Sequence, residues 1–357
     1  MIDFRYHLVS LISVFLALAV GIALGAGPLK DTVSDTLTGQ VAQLRAEKED
    51  LRTQLDAASA DLSHSTQFAG AAGTELVTGS LPSYRVAVVL LGDVPAADRD
   101  AIDARLVEAG ATVTVHATLA DAWTDPEQRS YRQGLVGFLT AYLDPLPAVG
   151  EGVPAELAQA LVQGLVGVDP AKPDVLTENA AALLDLLSTG DQPMIRLDQK
   201  VTTPADAVVV VAVPVKEPAA GSTALPTPDT DTTDAQLAVL KAAQRLSRGA
   251  VLADGQPLAG SLTRAVLADS NLAAAVTTVS GVDTVFGQVA VPLALAARID
   301  GTNGHYGFGD GLTMVPGRVD LLPVDRTPVT ATPAGGPLSP ATASTEVPAT
   351  PAVGSGG

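Results

Sequence analysis

The side chains that carry most nucleophilic and metal chemistry are scarce in this sequence. It contains no cysteine, which excludes disulfides, thiolate metal sites and cysteine nucleophiles, and leaves the redox compartment unreadable. Four histidines (His7, His64, His116, His305) and three methionines (Met1, Met194, Met314) are scattered over 357 residues. Copper and similar ions draw on imidazole, thiolate and thioether ligands, yet none of these side chains lies within five positions of another in a ligand spacing. Metal ligands therefore stay unassigned, and no cofactor is expected. Carboxylates are plentiful, with 39 acidic against 21 basic residues. At that density, closeness in sequence does not mark a catalytic pair, and a solvated face is the plainer reading. No GxGxxG opens a helix after a strand, and Walker A, GxSxG and HExxH sequences are all missing. The sequence points away from an enzyme. One loop stands apart, Gly301-Thr-Asn-Gly-His-Tyr-Gly-Phe-Gly-Asp-Gly311. His305 and Asp310 are its candidate ligands for an ion or small molecule. The plainer reading is that its glycines let the backbone turn at positive φ while Tyr306 and Phe308 plug a domain edge.

The elements around these residues begin with an anchor. From Leu8 to Gly27 no residue is charged, and such a helix is about 30 Å long, the depth of a bilayer core. A cleavable signal peptide has a shorter apolar run, so residues 1–29 are read as an uncleaved transmembrane anchor despite the small residues around Ala23-Leu24-Gly25. The short N-terminal tail favours an N-in orientation with the bulk of the protein outside. Ser13, Ala17, Gly21 and Gly25 recur every fourth position, so one face is small enough for two helix backbones to approach closely.

Residues 30–68 then follow a heptad. With Leu37 at d, the seam runs through Val41, Leu44, Lys48, Leu51, Leu55, Ala58 and Leu62, the pattern of a coiled coil. In a parallel pair Glu47 at g faces Arg52 at e. Lys48 at a costs stability but can fix register. Ala17, Gly21 and Gly25 together with Leu37, Val41, Leu44, Leu51, Leu55 and Leu62 are the candidate dimerisation residues. The expected partners are a membrane and a second, parallel copy of the chain. A net charge of −18 argues against nucleic acid, whose phosphates need a positive face.

A linker is expected over 69–82, then an α/β domain over 83–322. Arg85–Leu91 is a continuous apolar run of the kind buried on both faces of a parallel sheet. A helix starting near Asp93–Pro95, a Gly110 cap and a strand at 111–116 complete a β-α-β unit. Helices are expected at 133–143, 155–166 and 174–187, strands at 207–213, 250–253 and 274–279, and a helix at 234–248 ahead of Gly249. A long exposed loop is expected at 216–233. The alternation predicts an α/β fold, a mostly parallel, doubly wound (Rossmann-like) sheet. Pro292 predicts a kink in the apolar stretch around it. The Pro/Thr/Ala-rich segment 323–357 is expected to be a disordered tail.

Several stretches together resemble an actinobacterial copper-transport family called MctB. They are DFRYHLVSLISVFLALAVGIALGAG from Asp3, EAGATV ending the first βα unit, VDTVFGQVAVPLALA (Val282–Ala296), and GHYGFG (Gly304–Gly309), whose core is Gly304, His305, Tyr306 and Gly307. The resemblance covers roughly residues 2–322. It implies an envelope protein of copper efflux or homeostasis, described in the family as an outer-membrane pore or efflux component, with copper as a transported or sensed ion. The residues themselves read differently on one point. A transmembrane barrel needs many strands of about ten alternating residues, and the strands here are few, short and continuously apolar. A second reading is a non-catalytic dimeric envelope scaffold that recruits a protein partner in cell-wall assembly or division, with no direct copper transport.

Overall fold

A computed structural model describes residues 4–25, 29–148, 150–215 and 229–328. The chain divides into two units at Ala69/Gly70. The first holds α1 (Phe4–Gly25), formed by the uncharged run, and most of α2 (Leu29–Val77), a helix of 49 residues whose last turns fall in the second unit, about 74 Å long at 1.5 Å per residue. Its surface carries i,i+4 pairs such as Gln43 to Glu47 at 2.9 Å and Gln54 to Asp50 at 2.8 Å, each worth about 0.2–0.5 kcal/mol to a helix.

The second unit runs β1 (Arg85–Leu90), α3 (Ala96–Glu108), β2 (Thr112–Leu119), α4 (Arg129–Leu139), α5 (Val153–Val166), β3 (Val168–Asp169), β4 (Lys172–Leu176), α6 (Glu178–Ser188), β5 (Ile195–Leu197) and β6 (Ala207–Val211). It continues with α7 (Thr230–Leu246), β7 (Ala250–Asp254), α8 (Leu262–Ala268), α9 (Ser270–Ala275), β8 (Thr277–Ser280), α10 (Val285–Ile299) and β9 (His305–Tyr306). Seven strands form one open sheet in the order β5-β2-β1-β6-β7-β8-β9. All pairings are parallel except β2 with the short edge strand β5. The order reverses between β1 and β6, the mark of a doubly wound sheet.

The continuous apolar runs explain the layering. Val86 to Val89 and Val208 to Val211 are 0% exposed, because alternate side chains enter two different cores. Val89, Val208, Val210 and Leu252 pack on one face with α4–α8, while Val88, Val209 and Val251 pack on the other with α3 and α10.

Three sequence expectations are corrected. The linker proposed over 69–82 is helical to Val77, and Val77, Ser80 and Leu81 are buried. Its glycines serve close approach, not flexibility: a Cβ on Gly73 would lie 2.3 Å from Val289 Cγ2 of α10. The helix expected from 174 begins at Glu178 instead, because Lys172–Leu176 pairs with Val168–Asp169 in a hairpin. The Thr177 hydroxyl caps α6 by accepting from Ala180 N at 3.1 Å. Around Pro292, where a kink is expected, α10 is one continuous helix from Val285 to Ile299. A proline removes one backbone donor, and burial of residues 287 and 289–297 outweighs that loss. The tail expected from 323 is partly ordered. Val324 packs on the α3/α10 core, and the Arg326 guanidinium pairs with Asp206 and donates to Ser83 O at 3.0 Å. Residues 329–357, and 216–228 of the expected long loop, lie outside the described residues, while Thr230–Thr233 opens α7.

Gly73→Ala is expected to destabilise the protein by about 1–3 kcal/mol through overpacking. Gly39→Ala, where nothing lies within 4 Å of the added Cβ, should instead gain up to about 1 kcal/mol of helix propensity. Chemical denaturation of the detergent-solubilised chain checks both signs.

Candidate functional site

The heptad positions occupy one continuous helix and point outward. Leu37, Val41, Leu44, Leu51, Leu55 and Leu62 are all exposed, Leu44 by 64% and Leu55 by 68%. Heptad spacing puts this row at the positions that pair in a coiled coil. On α1, Ala17, Gly21 and Gly25 are exposed, and a Cβ added at Gly21 or Gly25 would meet nothing within 4 Å. The Ser13 hydroxyl bonds back to Val9 O at 2.8 Å, so this helix satisfies its own polar group. Among the described residues α1 is the one helix long and apolar enough to cross a bilayer.

The glycine-rich loop is an edge closure. β9 pairs parallel to β8 through Thr278↔His305 and Val279↔Tyr306. Both ring nitrogens of His305 are engaged, Nδ1 with the Thr278 hydroxyl at 3.0 Å and Nε2 with Ala273 O at 3.0 Å. Gly304 lies under the Tyr306 ring, where a Cβ would fall 2.4 Å from the phenol oxygen, and Tyr306 is buried. Gly307 has φ +128° and would place a Cβ 2.9 Å from Ser280 Cβ. Phe308 is exposed and meets Phe286 edge to face at 5.4 Å. The loop therefore brings Gly304, His305, Tyr306 and Gly307 together through packing and leaves no imidazole lone pair facing outward.

The second stretch of the resemblance, Val282–Ala296, is equally tight. Gly287 of α10 packs so closely on the preceding turn that a Cβ would sit 2.3 Å from Gly281 O. The Thr284 hydroxyl also donates to Gly281 O, at 2.7 Å. At the strand-order reversal, Leu91-Gly92-Asp93 turns against Val213, and Asp93 is paired with Arg196 at 2.7 Å.

The structure also assembles a group that sequence reading missed. His116 on β2 sits between two carboxylates, Asp198 at 2.7 Å from Nδ1 and Asp103 of α3 at 2.9 Å from Nε2. The hydrogen bond to Asp103 is the main cause that raises the His116 pKa; burial opposes it, and Asp198 adds to it. Burial pushes Asp198 upward, but the bonds from His116 more than offset this and leave its pKa lowered. The partners lie 13 and 82 positions from His116, so no local pattern announces them. The carboxylates face opposite ring nitrogens and do not converge on one point. Among the described residues no group of three or more His, Asp or Glu is placed to hold a metal ion. Asp254 ends β7 fully buried. Burial raises its pKa, and backbone N–H groups of Gly255 and Thr263, each at 2.8 Å, oppose that shift.

An N-terminal apolar helix, a long second helix and a doubly wound α/β unit with a self-satisfied edge loop define the class. The chain belongs to the MctB family: the family model described as "Copper transport outer membrane protein, MctB" matches residues 1–316. It is 30% identical over 336 residues to "Copper transporter MctB" of Mycobacterium bovis and of Mycobacterium tuberculosis, covering 88% of this chain and 99% of the relative. The Mycobacterium leprae protein of the same name is 28% identical over 348 residues.

The His116 clamp sets a pH dependence. A histidine whose folded pKa is raised contributes stability that is complete below its unfolded value, about 6.5, and is lost as pH rises through the folded value. Asp198, with its lowered pKa, contributes above about 3.9 and loses that contribution as pH falls through the folded value. The stability deficit of His116→Gln should therefore be largest near pH 5–6 and shrink above neutrality. Denaturation midpoints of variant and wild type across pH test this, and a deficit that does not change with pH contradicts it.

Proposed function

We propose that this chain serves copper export or homeostasis at the cell envelope as a membrane-anchored, parallel homodimer. The observation that carries this reading is the family match along residues 1–316, with curated relatives named as copper transporters over nearly their full length. The exposed apolar helix α1 supports a single-pass anchor, N-in, with the α/β domain outside the cytoplasm. The small-residue face of α1 and the leucine seam of α2 support dimerisation about one axis.

The α/β domain acts without catalysis, as a module presented by the stalk. Copper is cargo or stimulus handled by the assembly, since both ring nitrogens of His305 and His116 are already hydrogen-bonded. That same observation favours, as a second reading, a scaffold that recruits an envelope protein in cell-wall assembly or division.

The test is complementation of a deletion strain under copper stress, with cell-associated copper measured. Wild type should restore low copper. Leu44→Lys combined with Leu51→Lys, which places charge in the seam, should leave copper at the deletion level, whereas His305→Gln should retain most of the function. Unchanged copper in the deletion strain, with a defect in septation or wall synthesis, would reject the copper reading in favour of the scaffold.

A further inference from the structure

A cavity of about 270 Å³ opens between α4, α5 and the first turn of α7. It is remote in sequence from the seam and the motif loop. Val153, Leu157 and Ala235 give its lining an apolar part. Trp123 also lines it and is 2% exposed, with its indole nitrogen sealed from solvent. Arg132 is the donor the cavity offers a ligand. Arg132 is half-buried, and its Nη1 is tied to Ala122 O at 2.9 Å and Asp125 O at 2.7 Å. Its Nε and Nη2 have no hydrogen-bond partner among the described residues, and neither is among the sealed, unsatisfied atoms.

We propose that this cavity binds a small monocarboxylate, with its apolar body on Val153, Leu157 and Ala235 and its carboxylate on the free edge of the Arg132 guanidinium. A guanidinium with its fork partly free is the side chain best matched to a carboxylate. Burial is the main cause lowering the Arg132 pKa, and Arg129 lowers it further. An anion relieves both. The rim sets the charge of the ligand. Asp231 is paired with Arg129 at 2.7 Å, but the exposed Asp234 has no basic partner within 4 Å among the described residues. A dianion would be repelled there, and a single negative charge is tolerated.

Trp123 is the sole tryptophan of the chain, so its fluorescence reports this cavity directly. Titrating the full chain with 3-methylbutanoate should give a saturable change with a dissociation constant on the order of 1 mM or below, within the efficiency limits of so small a ligand. The neutral amide 3-methylbutanamide should give none. Arg132→Gln and the cavity-filling Ala235→Leu should each weaken binding at least about tenfold, with circular dichroism confirming the fold. Asp234→Asn, an exposed change, should strengthen it several-fold. A non-saturable response in wild type, equal responses to acid and amide, or unaltered binding in folded Ala235→Leu or in Asp234→Asn would overturn the assignment.

Discussion

Six large apolar side chains on one face of α2, from Leu37 to Leu62, are left in the open by the chain that carries them. Water disfavours such a row at about 25 cal/mol for every Å². A left-handed pairing with a second helix keeps the a and d positions in contact along the whole seam. The proposed dimer rests on that row and on its spacing.

The C-terminal turns of α2, from Gly70 on, belong to the α/β unit. The last turns pack through Gly73 and Val77 against α10 and the α3-side core. Arg318 donates to the free carbonyls of Glu75 and Leu76, the latter at 2.9 Å, completing the helix end as a basic group does near a C-terminus. The stretches that carry the family resemblance have a shared physical explanation. Gly287 against Gly281, Gly304 under Tyr306 and Gly307 beside Ser280 are all places where a Cβ would collide. They fix the end of the sheet and bring no ligand set together.

Much of this was legible because it is local and periodic. An uncharged run of bilayer length, a heptad of leucines and continuous valine strands each announce themselves within a few residues, and α1, α2, β1, β6 and the doubly wound order followed. The failures share a cause, the weight of tertiary context over local composition. Gly70 to Ser80 looks like a linker because glycine usually frees the chain, but packing on Val289 makes Gly73 a helix contact. Asp174–Leu176 looks helical until its partner strand at Val168–Asp169 is known. Arg326 sits in tail-like sequence, and only Asp206, 120 positions away, gives it a place. His116 and its carboxylates, and the Trp123–Arg132 cavity, are assembled wholly by the fold, so no spacing rule could reach them. The seam was the opposite case. Every one of its residues was visible in sequence, and the partner proposed for it is a second chain.

The most direct test uses the natural lack of cysteine. Single cysteines placed at Leu44 or Leu51 (both d) and, as a control, at Ala46 (f) can be oxidised in the native membrane, and disulfide-linked dimers counted on a non-reducing gel. A parallel seam brings equivalent d positions within disulfide range, so Leu44→Cys and Leu51→Cys should crosslink efficiently and Ala46→Cys should not. No crosslinking at the d positions, or equal crosslinking at all three sites, would contradict the account.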